Sequence, residues 1–255
     1  MKLQVFRSRE SAGHALARLL AEAIAEQPDL TLGLSAGNTS LYAYAELVRL
    51  FHAKGGFSFR RVTCFNTDEY VGLLPGDPRS TRYIMNYHLF NQVDVQREQT
   101  YVPTGDAADI DAECSAYDLL IQARGGLDLL VLGLGHNGHI GLNEPGSTRG
   151  SHTRVVDLTP STLAAVSGGE RFKHLDETPS KAITLGMAEI LNARKVLLIA
   201  SGLGKSEIVH RVVRGRAGPS VPATLLLNHP DLTMIIDHDA ASRLEQSDPR
   251  IRVLA

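Results

Sequence analysis

A glycine-rich stretch of this sequence carries a histidine and a carboxylate at a spacing suited to proton transfer. It follows an apolar run and contains Asn137, His139 and Glu144. An imidazole titrates near neutral pH, and a nearby carboxylate can orient it and stabilise its charged form. Glycines in such a loop allow a ligand to approach the backbone closely. Taken alone, the same motif also fits an ordinary turn with a hydrogen-bonded histidine.

A second polar stretch suits an anion rather than a proton transfer. Ser35, Gly37, Asn38 and Thr39 lie between a short apolar run and a predicted helix. Backbone N–H groups at the start of a helix, together with the helix dipole, bind phosphate well. The alternative is a simple helix N-cap by Thr39 or Ser40.

Two further strand ends carry charged groups. Asp68 and Glu69 are adjacent acids that fit either a base with its partner or a solvated turn. Lys205 stands at the start of a predicted helix, where a cation opposes the dipole unless an anion lies between them. Arg171 is a candidate second cation for that anion. Together these residues indicate acid–base chemistry on a phosphorylated small molecule.

The elements that must position these residues alternate between strands and helices. This order predicts an α/β fold, a Rossmann-like three-layer sandwich in which a largely parallel sheet has helices on both faces, and one domain over 1–255. We expect residues 146–180 to be an irregular, polar lid or binding loop. Strands are predicted at 2–6, 30–34, 61–65, 127–134, 195–200 and 232–236. Helices are predicted at 9–26, 40–52, 80–91, 107–123, 183–191 and 222–227, with another that ends near 214.

Composition limits the class of protein. The chain has 255 residues, of which 43% are hydrophobic and 21% charged, and its net charge is −2 without a basic stripe. We therefore expect no nucleic-acid partner, and without a run of about 18 apolar residues we expect no membrane span. Cys64 and Cys114 are predicted to be reduced thiols in a cytoplasmic protein. The sequence has neither metal-type spacing nor a dinucleotide motif, so we expect no metal and no cofactor.

With these residues in view, the chain resembles the glucosamine-6-phosphate deaminase (isomerase) family from about residue 1 to 245. The most specific matches are the sequence from Asp68 to Leu73, which reads DEYVGL, and that from Gly138 to Gly146, which reads GHIGLNEPG. The family converts an amino-sugar 6-phosphate and water into a ketose 6-phosphate and ammonia without an organic cofactor or a required metal. The resemblance thus implies an amino-sugar phosphate as the partner and allows a homo-oligomer.

The resemblance also implies a role for each matching residue. His139 would open the pyranose ring by proton transfer at the ring oxygen, with Glu144 orienting it. Asp68 would move a proton between C2 and C1, and Glu69 would support it. The phosphate would be held by Ser35, Gly37, Asn38, Thr39, Arg171 and Lys205.

Some positions leave alternatives open. Asn137 stands where glucosamine-6-phosphate deaminases usually carry Asp, and it is similar to the galactosamine-6-phosphate enzymes, which give tagatose 6-phosphate, whereas Tyr70 favours the glucosamine enzymes. A 6-phosphogluconolactonase is a second alternative, although Tyr70, Asn137 and Ile140 disagree with its pattern. A non-catalytic sugar-phosphate sensor is a third. Val156 stands where allosteric members carry a lysine, although this chain retains Ser147 and Arg154, so we do not expect allosteric control.

Overall fold

The computed structural model describes residues 1–53, 56–169, 171–244 and 251–253. Its strands are β1 (Lys2–Phe6), β2 (Thr31–Leu34), β3 (Thr63–Asn66), β4 (Asp68–Tyr70), β5 (Thr100–Tyr101), β6 (Leu129–Gly133), β7 (Arg154–Asp157), β8 (Lys181–Thr184), β9 (Lys195–Ala200), β10 (Leu232–Asp237) and β11 (Ile251–Val253). Its helices are α1 (Arg9–Glu26), α2 (Asn38–His52), α3 (Thr81–His88), α4 (Ile110–Ala123), α5 (Pro160–Val166), α6 (Met187–Asn192), α7 (Ser206–Arg214) and α8 (His238–Ala241). Among the short 3-10 segments, one spans Pro222–Asn228.

Within these ranges, eight strands form one sheet in which every pairing is parallel. The strand order is β11-β1-β10-β9-β6-β2-β3-β5. At its centre, Leu130 of β6 aligns with Gly33 of β2 on one side and with Val196 of β9 on the other. The chain fills the sheet outward from β2 to β5 and then returns to β6, beside β2. The crevice between β2 and β6 is therefore a topological switch point, where open α/β sheets bind ligands.

Both faces of this sheet are buried because its central strands are mainly apolar. Alternate residues of β6 point to opposite faces, so Leu130 and Leu132 join one hydrophobic cluster and Leu129 and Val131 join another. Helices α4 and α7 cover the first face, and α1 and α2 cover the second. The prediction of a three-layer α/β sandwich is confirmed.

A second, smaller sheet differs from the predictions. Strand β8 pairs antiparallel with β4 on one side and with β7 on the other. Residues 68–70, expected as the polar end of the third predicted strand, form a separate strand of the small sheet. The stretch expected to be helical from 183 to 191 divides into β8 and α6. The pattern failed because β4 and β8 have only three and four residues, too few to show a period.

The expectation of an irregular segment at 146–180 is wrong in part, since it contains β7 and α5. Strand β7 has just four residues, and most of them are half-buried, so it carries no strong apolar signal. Strand β11 was also missed. Some helix ends moved: α4 begins at Ile110 rather than 107, and α3 ends at His88, followed by a 3-10 turn at Phe90–Gln92.

In the part of the chain that is described, no helix combines the length and apolar character that crossing a membrane would require.

Candidate active site

A cavity of about 340 Å³ opens at the carboxyl edge of the parallel sheet, above the crevice between β2 and β6. Its walls come from the segments that follow β2, β3, β6 and β9, four neighbouring strands, with further residues from α5. The predicted residues among its lining are Ser35, Gly37, Asn38, Thr39, Asp68, Asn137, His139, Arg171 and Lys205. The fold thus brings together nearly all of the residues that the sequence singled out.

The start of α2 forms one wall of the cavity. Gly37 is the N-cap residue and supplies no side-chain capping bond, so the N-cap alternative for Thr39 and Ser40 is wrong. The first N–H groups of a helix lack partners within the helix. The side chain of Ser40 is instead hydrogen-bonded to the Ser35 hydroxyl at 2.8 Å. The helix start therefore presents its backbone donors and positive dipole end to the cavity.

Lys205 adds a cation to the lining of the same cavity. Its ammonium donates to the Leu134 carbonyl at 2.7 Å, and no carboxylate of the described ranges pairs with it. Burial lowers the pKa of Lys205 to about 8. A half-buried cation at a cavity wall, without an acidic partner there, favours an anionic ligand.

Arg171 supplies a second cation, held by three kinds of contact. Its guanidinium donates to the Arg79 carbonyl at 2.6 Å and to the Thr81 hydroxyl at 2.9 Å. The group also lies over the ring of Tyr70, 4.5 Å from its centroid. These contacts fix the guanidinium at the cavity wall before any ligand binds.

His139 lies on the loop after β6, with its side chain 17% exposed. Its Nδ1 is 3.3 Å from the Thr162 hydroxyl and 3.7 Å from Glu144 Oε2. Gly135 packs against the ring, and a Cβ at this position would overlap the imidazole. The ring is therefore placed by the glycine beneath it and by the polar groups at Nδ1.

Glu144 lies behind His139 and does not line the cavity itself. The amide nitrogen of Asn137 donates to Glu144 Oε2 at 2.7 Å, while its oxygen accepts the His139 backbone N–H at 3.1 Å. The backbone bond fixes the amide so that its nitrogen faces the carboxylate. Asn137 therefore bridges the two predicted partners of the proton transfer.

The environment of Glu144 keeps this carboxylate charged. Burial opposes ionisation, but interactions with His139, Thr162 and Asn137 outweigh it and lower the pKa of Glu144 to about 2. A carboxylate that stays ionised at neutral pH can stabilise an imidazolium at His139.

Asp68 projects from β4 of the small sheet rather than from the main sheet. It accepts a hydrogen bond from the Thr67 hydroxyl at 2.6 Å. Burial raises the pKa of Asp68, although Thr67, Arg171 and His139 act in the opposite direction. A carboxylate with a raised pKa is a stronger base.

Glu69 faces away from the cavity. Its carboxylate accepts backbone N–H groups from Tyr70 at 2.8 Å, Thr81 at 2.8 Å and Arg82 at 3.0 Å. One of its oxygens is also 3.9 Å from the Arg171 guanidinium. Glu69 thus joins β4 to the start of α3 and faces one of the cations of the site.

Among the lining residues that the sequence-based site did not include, three lie beside its predicted side chains. Thr162 contacts His139 from α5, Gly135 makes room for the imidazole, and His136 is exposed beside Lys205. The sequence signal for α5 was weak, although Thr159 followed by Pro160 is a typical helix start.

Known proteins are similar to this chain over nearly its full length. The family model described as glucosamine-6-phosphate isomerases/6-phosphogluconolactonase matches residues 7–235. A glucosamine-6-phosphate deaminase of Clostridium perfringens is 42% identical over 96% of this chain and 100% of its own length. That of Bacillus velezensis is 43% identical over 94% of this chain and 99% of its own length.

Solved structures match as well. A monomeric glucosamine-6-phosphate deaminase superposes with a TM-score of 0.92 at 39% identity, covering 95% of this chain and 99% of that one. A 6-phosphogluconolactonase from Trypanosoma brucei superposes with a TM-score of 0.74 at 20% identity, covering 96% and 98%, and shares the fold. On the match of the family model and of these relatives, the chain belongs to the glucosamine-6-phosphate isomerase/6-phosphogluconolactonase family.

Proposed function

We propose that this protein is an amino-sugar phosphate deaminase that converts glucosamine 6-phosphate and water into fructose 6-phosphate and ammonia. The observation that carries the proposal is one cavity lined by the base Asp68, by His139 with Glu144 behind it, and by two cations. The relatives that are about 40% identical over nearly their full length are named as deaminases.

The phosphate is bound first in this proposal. The start of α2, with Ser35 and the residues from Gly37 to Thr39, offers hydrogen-bond donors, and Lys205 and Arg171 offer charge. Binding the dianion near Lys205 also favours its protonated form, because an opposite charge offsets the effect of burial. The sugar is then held at its far end, with its ring over Asp68 and His139.

His139 opens the pyranose ring. It takes the proton of the anomeric hydroxyl and delivers it to the ring oxygen, so that the C1 aldehyde forms and the ring C–O bond breaks. The ionised Glu144 stabilises the transient imidazolium, and Asn137 and Thr162 hold both groups in position.

Asp68 then catalyses isomerisation. It removes the C2 proton of the open-chain aldehyde and returns it at C1, while one proton of the amine moves to the C1 oxygen, so that a C1 alcohol and a C2 imine result. Hydrolysis of the imine gives the C2 ketone and ammonia, so the reaction consumes one water. Glu69 supports this step through Arg171 and through its bonds to the start of α3.

The sequence left the sugar epimer and the reaction class open. The curated relatives favour glucosamine-6-phosphate deaminase activity over the galactosamine-6-phosphate enzyme, the lactonase and the non-catalytic sensor. Asn137 is compatible with this function because its amide donates to Glu144 and leaves the carboxylate charged.

A paired assay tests the proposal. Ammonia release is measured from glucosamine 6-phosphate and galactosamine 6-phosphate side by side, and hydrolysis of 6-phosphogluconolactone in parallel. We expect the highest kcat/KM for glucosamine 6-phosphate. A galactosamine preference would transfer the protein to the sibling activity, and binding of both sugars without turnover would make it a sensor.

The proposal includes a setting for the enzyme. We expect it to act in the cytoplasm on a small molecule, without a nucleic-acid or membrane partner. The described chain supplies every residue of the proposed mechanism, so a homo-oligomer is compatible with activity but not required for it. Sedimentation of the active enzyme at its assay concentration measures the oligomeric state.

A further inference from the structure

A cluster of three ligand-type side chains lies outside the cavity. Asp118 comes from α4, His152 from the segment before β7, and Glu189 from α6. His152 Nδ1 is 2.6 Å from Glu189 Oε1 and 3.7 Å from Asp118 Oδ2. One ligand atom from each side chain lies within 4.8 Å of the other two. None of the three lines the candidate active site.

Two carboxylate oxygens of this cluster are buried without a partner. Asp118 Oδ1 and Glu189 Oε2 have no hydrogen-bond partner in the described part of the chain, and the two residues are only 7% and 8% exposed. The hydroxyl of the neighbouring Thr153, on a residue 6% exposed, is in the same state. Leaving buried polar oxygens unsatisfied is costly, so such atoms point to a ligand that contacts them.

The charges of the cluster do not cancel within it. A protonated His152 would neutralise one of the two carboxylates. Arg154 is a nearby cation, but its guanidinium donates to Asn143 Oδ1, Ser147 Oγ and the His152 carbonyl rather than to these acids. A dication bound by neutral His152 would balance both carboxylates.

The backbone around His152 is fixed before any ligand binds. A Cβ on Gly186, just before α6, would overlap the backbone of Ser151 and His152, so only glycine allows this close approach. The Ala188 N–H donates to the Ser151 carbonyl at 3.0 Å, and the Thr153 N–H donates to Asp118 Oδ2 at 3.1 Å. These bonds hold His152 and both carboxylates in one small volume and orient Asp118 from behind.

We propose that Asp118, His152 and Glu189 bind a divalent transition-metal ion of the Zn²⁺ class. Zinc takes imidazole and carboxylate ligands at about 2.0–2.2 Å, which separates ligand atoms in a tetrahedron by about 3.4 Å. The observed separations of 2.6 and 3.7 Å bracket this value, so small side-chain movements suffice. His152 has a side chain that is 65% exposed, which gives the ion an entry path and leaves a position for water.

The bound ion has a structural role in this proposal. It joins α4 and α6 to the segment that leads from the catalytic loop to β7. Its effect falls on stability rather than on proton transfer, so the proposal is independent of the reaction assigned above.

Metal binding to the chelator-treated full chain tests the inference. Co²⁺ and Zn²⁺ are titrated separately, with calorimetry for both and absorption spectra for Co²⁺. We expect one equivalent of each metal, a Co²⁺ spectrum without a thiolate charge-transfer band, and a rise of several degrees in Tm at saturation. A thiolate band would instead place the ion on a cysteine and overturn the assignment, as would the absence of stoichiometric binding.

Variants separate this site from adventitious binding. His152→Ala should weaken Zn²⁺ affinity at least about tenfold and remove the rise in Tm. Because His152 is exposed, this variant is expected to fold, and circular dichroism checks that it does. Asp118→Asn is less suitable because it alters a buried group. The matched control is His14→Ala, which removes an exposed histidine 3.9 Å from Glu46 and should bind Zn²⁺ like the wild type. Wild-type affinity in His152→Ala refutes the site.

Discussion

The hydrogen bond between Asn137 and Glu144 makes the variant Asn137→Asp informative. The change replaces an amide nitrogen, 2.7 Å from Glu144 Oε2, by a carboxylate oxygen. Two full charges at this distance repel by about 6 kcal/mol at an effective dielectric constant of about 20. The pair therefore retains one proton at neutral pH, and its upper apparent pKa rises to about neutral pH or above.

The effect on stability has a definite sign. In the wild type the pKa of Glu144 is lowered from 4.5 to about 2. This shift contributes about 3 kcal/mol to the free energy of unfolding above pH 4.5, and the contribution is lost as the pH falls through 2. In the variant the upper pKa is raised above its unfolded value. The stability that the carboxylate pair contributes is therefore present below pH 4.5 and is lost as the pH rises toward that upper pKa.

Denaturant unfolding at several pH values measures this difference. The free energy of unfolding should be lower for Asn137→Asp than for the wild type at pH 7. This difference between the two proteins should be about 3 kcal/mol larger at pH 7 than at pH 4.5. Turnover at pH 7 should stay within about tenfold, because the pair with its shared proton carries the same charge as Asn137 with ionised Glu144. Asn91→Asp, an exposed amide on another surface, is the control for the charge change. A stability difference that does not vary with pH would refute the contact between Asn137 and Glu144.

Three other changes test the remaining parts of the site. His139→Gln should lower kcat by about 10² or more at unchanged Tm, since it removes the general acid–base group, and an unchanged rate would assign His139 a structural role only. The KM of the wild type should rise as the pH rises through about 8, because the Lys205 cation is lost, whereas Lys205→Arg should keep KM flat over that range. Gly135→Ala should displace the imidazole and lower kcat, while the affinity for fructose 6-phosphate, measured by calorimetry, is retained. Loss of activity together with loss of this affinity would mean that the loop itself has collapsed.

The main sheet was predictable because its strands are buried on both faces. Runs such as Leu129–Gly133 and Lys195–Ala200 are nearly continuous in apolar residues, and no competing pattern fits their length. The small sheet was not predictable, since Asp68–Tyr70 is stabilised by pairing with Lys181–Thr184, which is distant in the chain. Its strands are set by tertiary contacts rather than by local preference.

The candidate site shows the same division. Asp68, His139 and Lys205 lie a few residues beyond the ends of predictable strands, so the topology of the main sheet places them near one edge. Thr162 was missed because it reaches His139 from α5, within a segment whose polar composition indicated a loop. Arg171 lies in the same segment, and its position depends on Arg79, Thr81 and Tyr70.

The proposed base and most of the proposed phosphate-binding groups belong to different sheets. Asp68 belongs to the small antiparallel sheet, whereas Ser35, His139 and Lys205 extend from the large parallel one. If these proposed roles hold, phosphate binding and the choice of reaction depend on different parts of the fold. A relative that keeps the large sheet would keep most of the phosphate-binding groups, while a different strand in the place of β4 would supply a different reactive group.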